Sequence, residues 1–165
     1  YTAQKGLKHP IAIRYPRGRG KTPDWKSEFT SIEIGTGVQL KQGGEVAILS
    51  LGAISSTVSE AIDGLNCAHY DMRFVKPLDT RLLHTIFKTY STLITIEDGV
   101  ISGGFGSAIL EFAAAHHYKN DVIVKGIPDV FIEQGPVDTL FETLELDSQH
   151  LKQFVFDLIQ KKGMP

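Results

Sequence analysis

Apolar positions between residues 71 and 107 follow the period of a strand, then that of a helix, and then both again. Residues 79–90 carry the clearest amphipathic stripe of the chain, which predicts a core-facing helix, and Asp79 can cap its free N–H groups. A strand follows at 93–96, and a glycine-rich loop at 103–106 opens another helix. This order predicts a right-handed crossover in a parallel sheet. The stripe consists of Leu82, Leu83, Ile86, Phe87 and Tyr90.

The rest of the chain continues this alternation. Residues 46–49 and 122–124 are apolar runs typical of strands covered on both faces, and 69–74 is a further predicted strand. More helices are predicted after Gly52, from 105, over 137–144 and over 148–162, the last capped by Asp147 or Ser148. Their predicted inward positions are Ile54, Val58, Ala61, Ile62 and Leu65; Phe105, Ala108, Ile109 and Phe112; Val137, Leu140, Phe141 and Leu144; and Leu151, Phe154, Val155, Leu158 and Ile159.

The first 50 residues are less regular. Residues 11–15 form a short β-like run that Pro16 ends, and the basic stretch that follows contains Gly and Pro, which predicts a linker. We place a domain boundary near residues 20–28. Residues 32–40 alternate weakly and contain two glycines, which favours an edge strand. Local rules predict that this strand forms a hairpin with residues 46–49.

Composition limits the possible functions. The 165 residues are 42% apolar and 22% charged, as in a globular domain with a core, and the net charge of −2 argues against a nucleic-acid or anionic-membrane partner. No apolar run has the length of a membrane span or the pattern of a signal peptide. A single cysteine, Cys67, fits a cytoplasmic location. Because the chain starts at Tyr1, we expect it to be part of a longer protein.

The candidate chemistry is sparse. The loop at 103–106 invites a phosphate-binding interpretation, but Ile109 occupies the position of the third glycine in a dinucleotide fingerprint, so we favour close backbone packing. Glu97 and Asp98 end a strand and could perform acid–base work, although a solvated strand end is the favoured interpretation. His116 and His117 are about 100° apart on a helix, which is unsuitable for sharing a metal. We predict no catalytic residues and no metal ligands in this chain.

Arg17 is the one candidate binding residue. It follows the rigid pair Tyr15-Pro16 and precedes Gly18, so the backbone sets its direction. A pre-organised guanidinium suits bidentate contact with phosphate. The alternative is a solvated linker residue, which we prefer for Arg19 and Lys21.

Four segments of the sequence are distinctive in their order and spacing: Ala12 to Gly18, Asp71 to Asp79, Glu97 to Ser107 and Ile127 to Gly135. Together they resemble the C-terminal part of a known family, the 1-deoxy-D-xylulose-5-phosphate synthases, which are thiamine-diphosphate enzymes of the transketolase superfamily. The sequence departs from this family at Gly99, where the family often has Asn.

The resemblance implies a fold. We expect a three-layer α/β/α domain with a five-stranded mixed sheet, in which the first strand is antiparallel and lies beside the third. This expectation replaces the hairpin interpretation. Residues 1–27 are then the tail of a preceding pyrimidine-binding-type domain plus a linker, and residues 28–165 a transketolase C-terminal-type domain.

The resemblance also implies an activity for the full-length enzyme, which condenses pyruvate with D-glyceraldehyde 3-phosphate, releases carbon dioxide and supplies isoprenoid, thiamine and pyridoxal pathways. Its thiamine diphosphate and Mg²⁺ sites lie in preceding domains, so we expect neither cofactor to bind this fragment, which is inactive alone. Arg17 matches the arginine that binds the substrate phosphate. The enzyme is expected to be a cytoplasmic homodimer.

Two alternatives remain open. The first is the C-terminal domain of a pyruvate dehydrogenase beta subunit or of a transketolase, because the Lys76 to Asp79 segment and the glycine loop are shared across the superfamily. A dehydrogenase has no phosphorylated substrate and no use for Arg17. The second is a free-standing interaction module with the same fold.

Overall fold

The structure is a computed structural model that describes residues 1–16 and 26–162. Within these residues, five strands and five α-helices follow a short 3₁₀ helix at Thr2–Lys5 and largely alternate. The strands are β1 (Val38–Lys41), β2 (Val46–Leu51), β3 (Ala68–Asp71), β4 (Thr92–Val100) and β5 (Asp121–Ile127). The helices are α1 (Ile54–Ala61), α2 (Thr80–Thr89), α3 (Phe105–Ala115), α4 (Val137–Thr143) and α5 (Ser148–Lys162).

The five strands form one sheet in the order β1-β3-β2-β4-β5. Strand β1 runs antiparallel to β3, and the other neighbouring pairs are parallel. The implied fold is therefore confirmed, and the hairpin suggested by local rules does not form. The four-residue connection after β1 passes across the start of β3 instead of folding back, and Lys41 Nζ donates to the carbonyl oxygen of Ile62 at 2.7 Å.

Two apolar clusters cover the two faces of the sheet and define three layers. Successive residues of β2 point to opposite faces, so Leu49 packs against α2 and α3, whereas Ile48 packs against α1 and α5. Both side chains are fully buried. Burial on both faces explains why β2 is a continuous apolar run.

The predicted helix caps hold at two positions. Asp79 Oδ1 accepts from the backbone N–H of Leu82 at 2.9 Å, and its other oxygen accepts from Gly37 at 3.0 Å, which ties α2 to the approach to β1. Asp147, and not Ser148, caps α5, because its Oδ1 accepts from the amides of Gln149 and His150.

Three predictions about burial were too strong. Strand β5 lies at the edge of the sheet, and its residues are only half-buried or exposed. Phe154 and Leu158 of α5 are half-buried, because they lie at the margin of the cluster around Leu151 and Val155. Val137 of the short helix α4 is exposed.

Residues 1–16 contain no strand, and several of their side chains contact residues far away in the sequence. The β-like run at 11–15 has no strand partner among the described residues, and all of it is exposed. The ring of Tyr1 stacks on Phe29 at 5.8 Å between centroids, and Thr2 Oγ1 accepts from the amide of Ile32. Arg17, Arg19 and Lys21 lie outside the described residues.

Among the described helices, none combines the length and the apolar character that crossing a membrane requires.

Candidate functional site

The carboxyl ends of the parallel strands gather the unusual polar contacts of this domain, as in other α/β folds. Strand β4 is the longest, and its ladder with β5 is irregular between Ile96 and Val100. Such irregularities redirect side chains near the end of a strand. Glu97 and Asp98 lie within this irregular segment.

Glu97 is buried, with 3% of its surface exposed, and its carboxylate caps α3. Oε2 accepts from the backbone N–H of Phe105 at 2.9 Å, and Oε1 accepts from that of Gly106 at 2.8 Å. A negative charge at this position also interacts favourably with the helix dipole. The prediction of a solvated strand end is therefore wrong for Glu97, because α3 folds back over the end of β4.

The glycines of the loop permit this close approach. A Cβ added to Gly104 would lie 2.3 Å from the carbonyl oxygen of Val100 and 2.6 Å from Glu97 Oε2. A Cβ added to Gly106 would lie 2.4 Å from Cγ1 of Val124. The first helical N–H groups are already bonded to Glu97, so they do not offer the anion site that a free helix N-terminus would. The packing interpretation of the loop is confirmed.

Asp98 faces outward and contacts the N-terminal segment. Its Oδ1 lies 3.5 Å from Nη2 of Arg14, and its carbonyl oxygen accepts from the same nitrogen at 3.4 Å. The side chain of Arg14 is 73% exposed and that of Asp98 is 28% exposed. A Cβ added to Gly99 would lie 3.4 Å from Nη1 of Arg14, so the guanidinium lies over the backbone of the loop.

A second arginine at the same side of the sheet was not singled out from the sequence. Arg73 follows β3 with a φ of 56°, a left-handed conformation that is uncommon outside glycine, and it is exposed. Its amide donates to Asp71 Oδ1 at 3.0 Å, which supports this local turn. Strained backbone of this kind often occurs at binding sites. The sequence contained one signal for this turn, the spacing Asp71-x-Arg73. An aspartate side chain readily accepts a hydrogen bond from the backbone amide two residues further along the chain.

A buried serine–histidine network lies between β2, β3 and α1. Ser50 Oγ is 2.7 Å from His69 Nε2 and 2.7 Å from Ser55 Oγ, and Ser59 Oγ is 3.2 Å from His69 Nδ1. Burial, with a smaller effect of the Lys41 charge, lowers the pKa of His69 to about 4. Because Ser50 and His69 are inaccessible to solvent, this pair packs the core and does not present a nucleophile.

An aromatic cluster that contains His84 and His116 lies on the side of the sheet that is covered by α2 and α3. The rings of His84 and His116 are 4.5 Å apart, and His84 Nδ1 lies 2.8 Å from the hydroxyl of Tyr118. His117 follows at a φ of 57° beyond the end of α3. In the described part of the chain, no group of three or more His, Cys, Asp or Glu side chains is arranged to hold a metal ion.

The described residues therefore do not fit thiamine diphosphate and Mg²⁺. They provide neither a cluster of oxygen ligands for the metal nor free N–H groups at the glycine loop, where Glu97 already binds. At this edge, the domain holds the N-terminal segment through the contact of Asp98 with Arg14, and it exposes the side chains of Arg14 and Arg73.

Comparison with known proteins agrees with the fold. Residues 35–151 match the sequence model of the transketolase C-terminal domain, and the chain belongs to this family. A solved structure described as a split gene transketolase, inactive beta4 tetramer, superposes with a TM-score of 0.70 at 30% identity and covers 82% of this chain and 46% of its own.

The similar curated proteins carry a more specific name, 1-deoxy-D-xylulose-5-phosphate synthase. The protein from Bacteroides thetaiotaomicron is 45% identical over 92% of this chain, and that from Cytophaga hutchinsonii is 46% identical over 96%. The Vibrio vulnificus protein is 43% identical over 94%. The chain spans about a quarter of the length of these relatives.

Proposed function

We propose that this chain is the C-terminal domain of a 1-deoxy-D-xylulose-5-phosphate synthase. The observation that carries the proposal is the identity of 42–46% to several proteins of that name, over 90–96% of the chain. The complete enzyme then condenses pyruvate with D-glyceraldehyde 3-phosphate and releases carbon dioxide. It is a thiamine-diphosphate- and Mg²⁺-dependent transferase, cytoplasmic and homodimeric.

Within this enzyme, we assign Arg17 the binding of the substrate phosphate. Its fork of N–H groups can donate two parallel hydrogen bonds to phosphate oxygens, which the point charge of a lysine cannot reproduce. The contact of Arg14 with Asp98 supports the assignment, because it holds the segment that leads to Arg17 at the carboxyl edge of the sheet. Ligands of open α/β sheets bind at that edge.

The remaining part of the domain has a structural and assembly role in this proposal. Three successive apolar side chains after β5, those of Val130, Phe131 and Ile132, are exposed. Contiguous exposed apolar residues are typical of interaction surfaces. The chemistry depends on the cofactor, which is bound elsewhere in the complete enzyme. This chain helps to position the substrate by contacting its phosphate.

A second candidate is a transketolase, because the matching solved structure carries that description at 30% identity. The two are separated by their substrates. Purified complete protein, incubated with pyruvate and glyceraldehyde 3-phosphate, should release carbon dioxide and form deoxyxylulose phosphate. Formation of product only from a ketose donor would favour the transketolase, and failure with every donor would favour the interaction module.

The assignment of Arg17 is tested by Arg17→Ala in the complete enzyme. We expect a higher KM for glyceraldehyde 3-phosphate and a loss in kcat/KM of about 2–3 kcal/mol, roughly 30- to 150-fold, because a charged hydrogen-bond donor is removed. The KM for pyruvate should change little. Arg19→Ala is the matched control, since it removes the same charge two residues away.

Unphosphorylated glyceraldehyde provides a further check of the same assignment. It lacks the phosphate, so the parent enzyme and Arg17→Ala should use it equally poorly. If the variant still discriminated against this substrate as strongly as the parent, Arg17 would be only a linker residue.

A further inference from the structure

We propose that a crevice at the carboxyl edge of the sheet binds a small zwitterion of the α-amino-acid type. The crevice lies between the loop that follows β3 and the start of α3, and its volume is about 420 Å³. Binding at this crevice is independent of the activity proposed above for the complete enzyme. The side chains that line it include those of Val75, Lys76, Ser107, Ala108 and Glu111.

The topology of the sheet creates this crevice. Strand β2 lies between β3 and β4. The connections after β3 and β4 lead to α2 and α3, which cover one face of the sheet, whereas the connection after β2 leads to α1 on the opposite face. On the face of α2 and α3, the loops that follow β3 and β4 are therefore separated by the width of one strand. Open α/β sheets bind ligands in such crevices, outside the carboxyl ends of strands whose connections diverge.

Opposite charges stand on the two walls of the crevice. Lys76 belongs to the loop after β3 and Glu111 belongs to α3, and both side chains are exposed. Within the part of the chain that the structure describes, neither side chain has an ion-pair or hydrogen-bond partner. An ammonium and a carboxylate that line one crevice without contacting each other can bind the two ends of a zwitterion. Lys76 then donates to the carboxylate of the ligand, and Glu111 accepts from its ammonium group.

The other lining groups favour a ligand that is polar only at these two ends. The hydroxyl of Ser107 is already used, because it donates to the carbonyl oxygen of Ile101 at 2.7 Å and accepts from the amide of Gly103 at 3.0 Å. Val75, which is 44% exposed, and Ala108 offer apolar contact to the carbon atoms of the ligand. A dianion such as inorganic phosphate is disfavoured, because the carboxylate on the α3 wall repels it.

Saturation-transfer NMR on the complete protein tests the site, with L-valine as the probe. L-Valine carries both charged ends and an apolar side chain. L-Valinamide lacks the carboxylate, and N-acetyl-L-valine lacks the ammonium group. We expect each analogue to bind about tenfold more weakly than L-valine, because each loses one charged hydrogen bond at an exposed site.

Variants of the two charged residues identify which end of the ligand each one binds. Lys76→Met and Glu111→Gln should each weaken L-valine about tenfold. Lys76→Met should leave the affinity for L-valinamide unchanged, and Glu111→Gln should leave that for N-acetyl-L-valine unchanged, because the interaction removed is already missing. Lys76→Arg keeps the charge and should retain most of the affinity. Lys88→Met and Glu142→Gln, at exposed positions outside the crevice, are the matched controls and should bind like the parent.

The variants change exposed side chains, so their melting temperatures should lie within about 2 °C of that of the parent. A loss of binding can then be assigned to the crevice and not to unfolding. No binding of L-valine to the parent protein at about 10 mM would overturn the proposal. Equal affinity for the three probes would also overturn it, as would the same loss of binding in the control variants. Each of these results would leave the proposed function standing.

Discussion

Glu97 Oε1 accepts a hydrogen bond from the amide of Gly106 at 2.8 Å and so joins the end of β4 to the first turn of α3. The other oxygen accepts from Phe105 at 2.9 Å. The sequence of this glycine-rich loop resembles an anion-binding loop. Because of these two contacts, however, the amides at the start of α3 are capped by the carboxylate of Glu97. The two contacts also explain why Asp98, the next residue, faces outward and is free to contact Arg14.

Replacement of Glu97 should destabilise the domain strongly. Glu97→Ala leaves the amides of Phe105 and Gly106 buried without acceptors, and each unsatisfied group costs about 1–3 kcal/mol. We expect a loss of about 3–5 kcal/mol in the free energy of unfolding, measured by urea denaturation. Asp98→Ala, the neighbouring carboxylate, should cost less than about 1 kcal/mol. Equal losses in the two variants would contradict the capping role.

Gly106→Ala should also destabilise, against the local preference. Alanine is favoured over glycine in a helix by about 1 kcal/mol, but its Cβ would lie 2.4 Å from Val124 Cγ1 and 2.7 Å from Thr95 Oγ1. We expect a net loss of about 1–3 kcal/mol. Val124→Ala removes the clashing methyl groups, so the double variant should recover part of the loss. A Gly106→Ala variant more stable than the parent would show that the backbone is not packed this closely.

The pH dependence of stability should contain a contribution from His69. Burial is the main reason why the pKa of His69 is lowered to about 4 in the folded protein. In the unfolded chain its pKa has the ordinary histidine value of 6.5. As the pH falls below 6.5, the unfolded chain binds a proton that the folded chain does not bind, so stability decreases. The decrease should reach about 3 kcal/mol near pH 4.

Chemical denaturation at a series of pH values tests this contribution of His69. The slope between pH 6.5 and 4 should be smaller in His69→Asn than in His9→Gln, which removes an exposed histidine. An unchanged slope in His69→Asn would assign the pH dependence to other groups.

The core beneath α2 should be sensitive to truncation. Leu83 is fully buried between α2 and the sheet, so Leu83→Ala should cost about 2–5 kcal/mol. Leu110 on α3 is 44% exposed, and Leu110→Ala should cost less than about 1 kcal/mol. Reversible urea denaturation of both variants measures the difference, and a loss below 1 kcal/mol for Leu83→Ala would contradict its burial.

The chain alone should not bind thiamine diphosphate. The described residues hold no metal-binding group, and the loop amides of Phe105 and Gly106 are bonded to Glu97. Titration calorimetry with the cofactor and Mg²⁺ should detect no heat of binding, and the chain should form no deoxyxylulose phosphate. Tight, Mg²⁺-dependent binding would require a site made by this chain. It would contradict the proposal that the cofactor binds elsewhere in the complete enzyme.

Much of the fold could be predicted from local sequence signals. The stripe of α2, its Asp79 cap and the apolar run of β2 each depend on neighbours within a few residues or on simple burial, so their patterns were sufficient. The close packing of the glycine loop was also predicted, because Ile109 stands where a dinucleotide site needs glycine. The role of Arg17 stays a prediction, since it lies outside the described residues.

The features that local patterns missed depend on residues far apart in the chain. The sequence determined which segments form strands and helices, and the family resemblance implied their order in the sheet. Only the tertiary structure decided that Glu97 is buried against α3, that Phe154 is half-buried, and that Arg14 meets Asp98 across 84 residues. The spacing of apolar positions along a helix or strand determines the face on which a side chain lies. The residue that it contacts depends on which element the fold brings against that face.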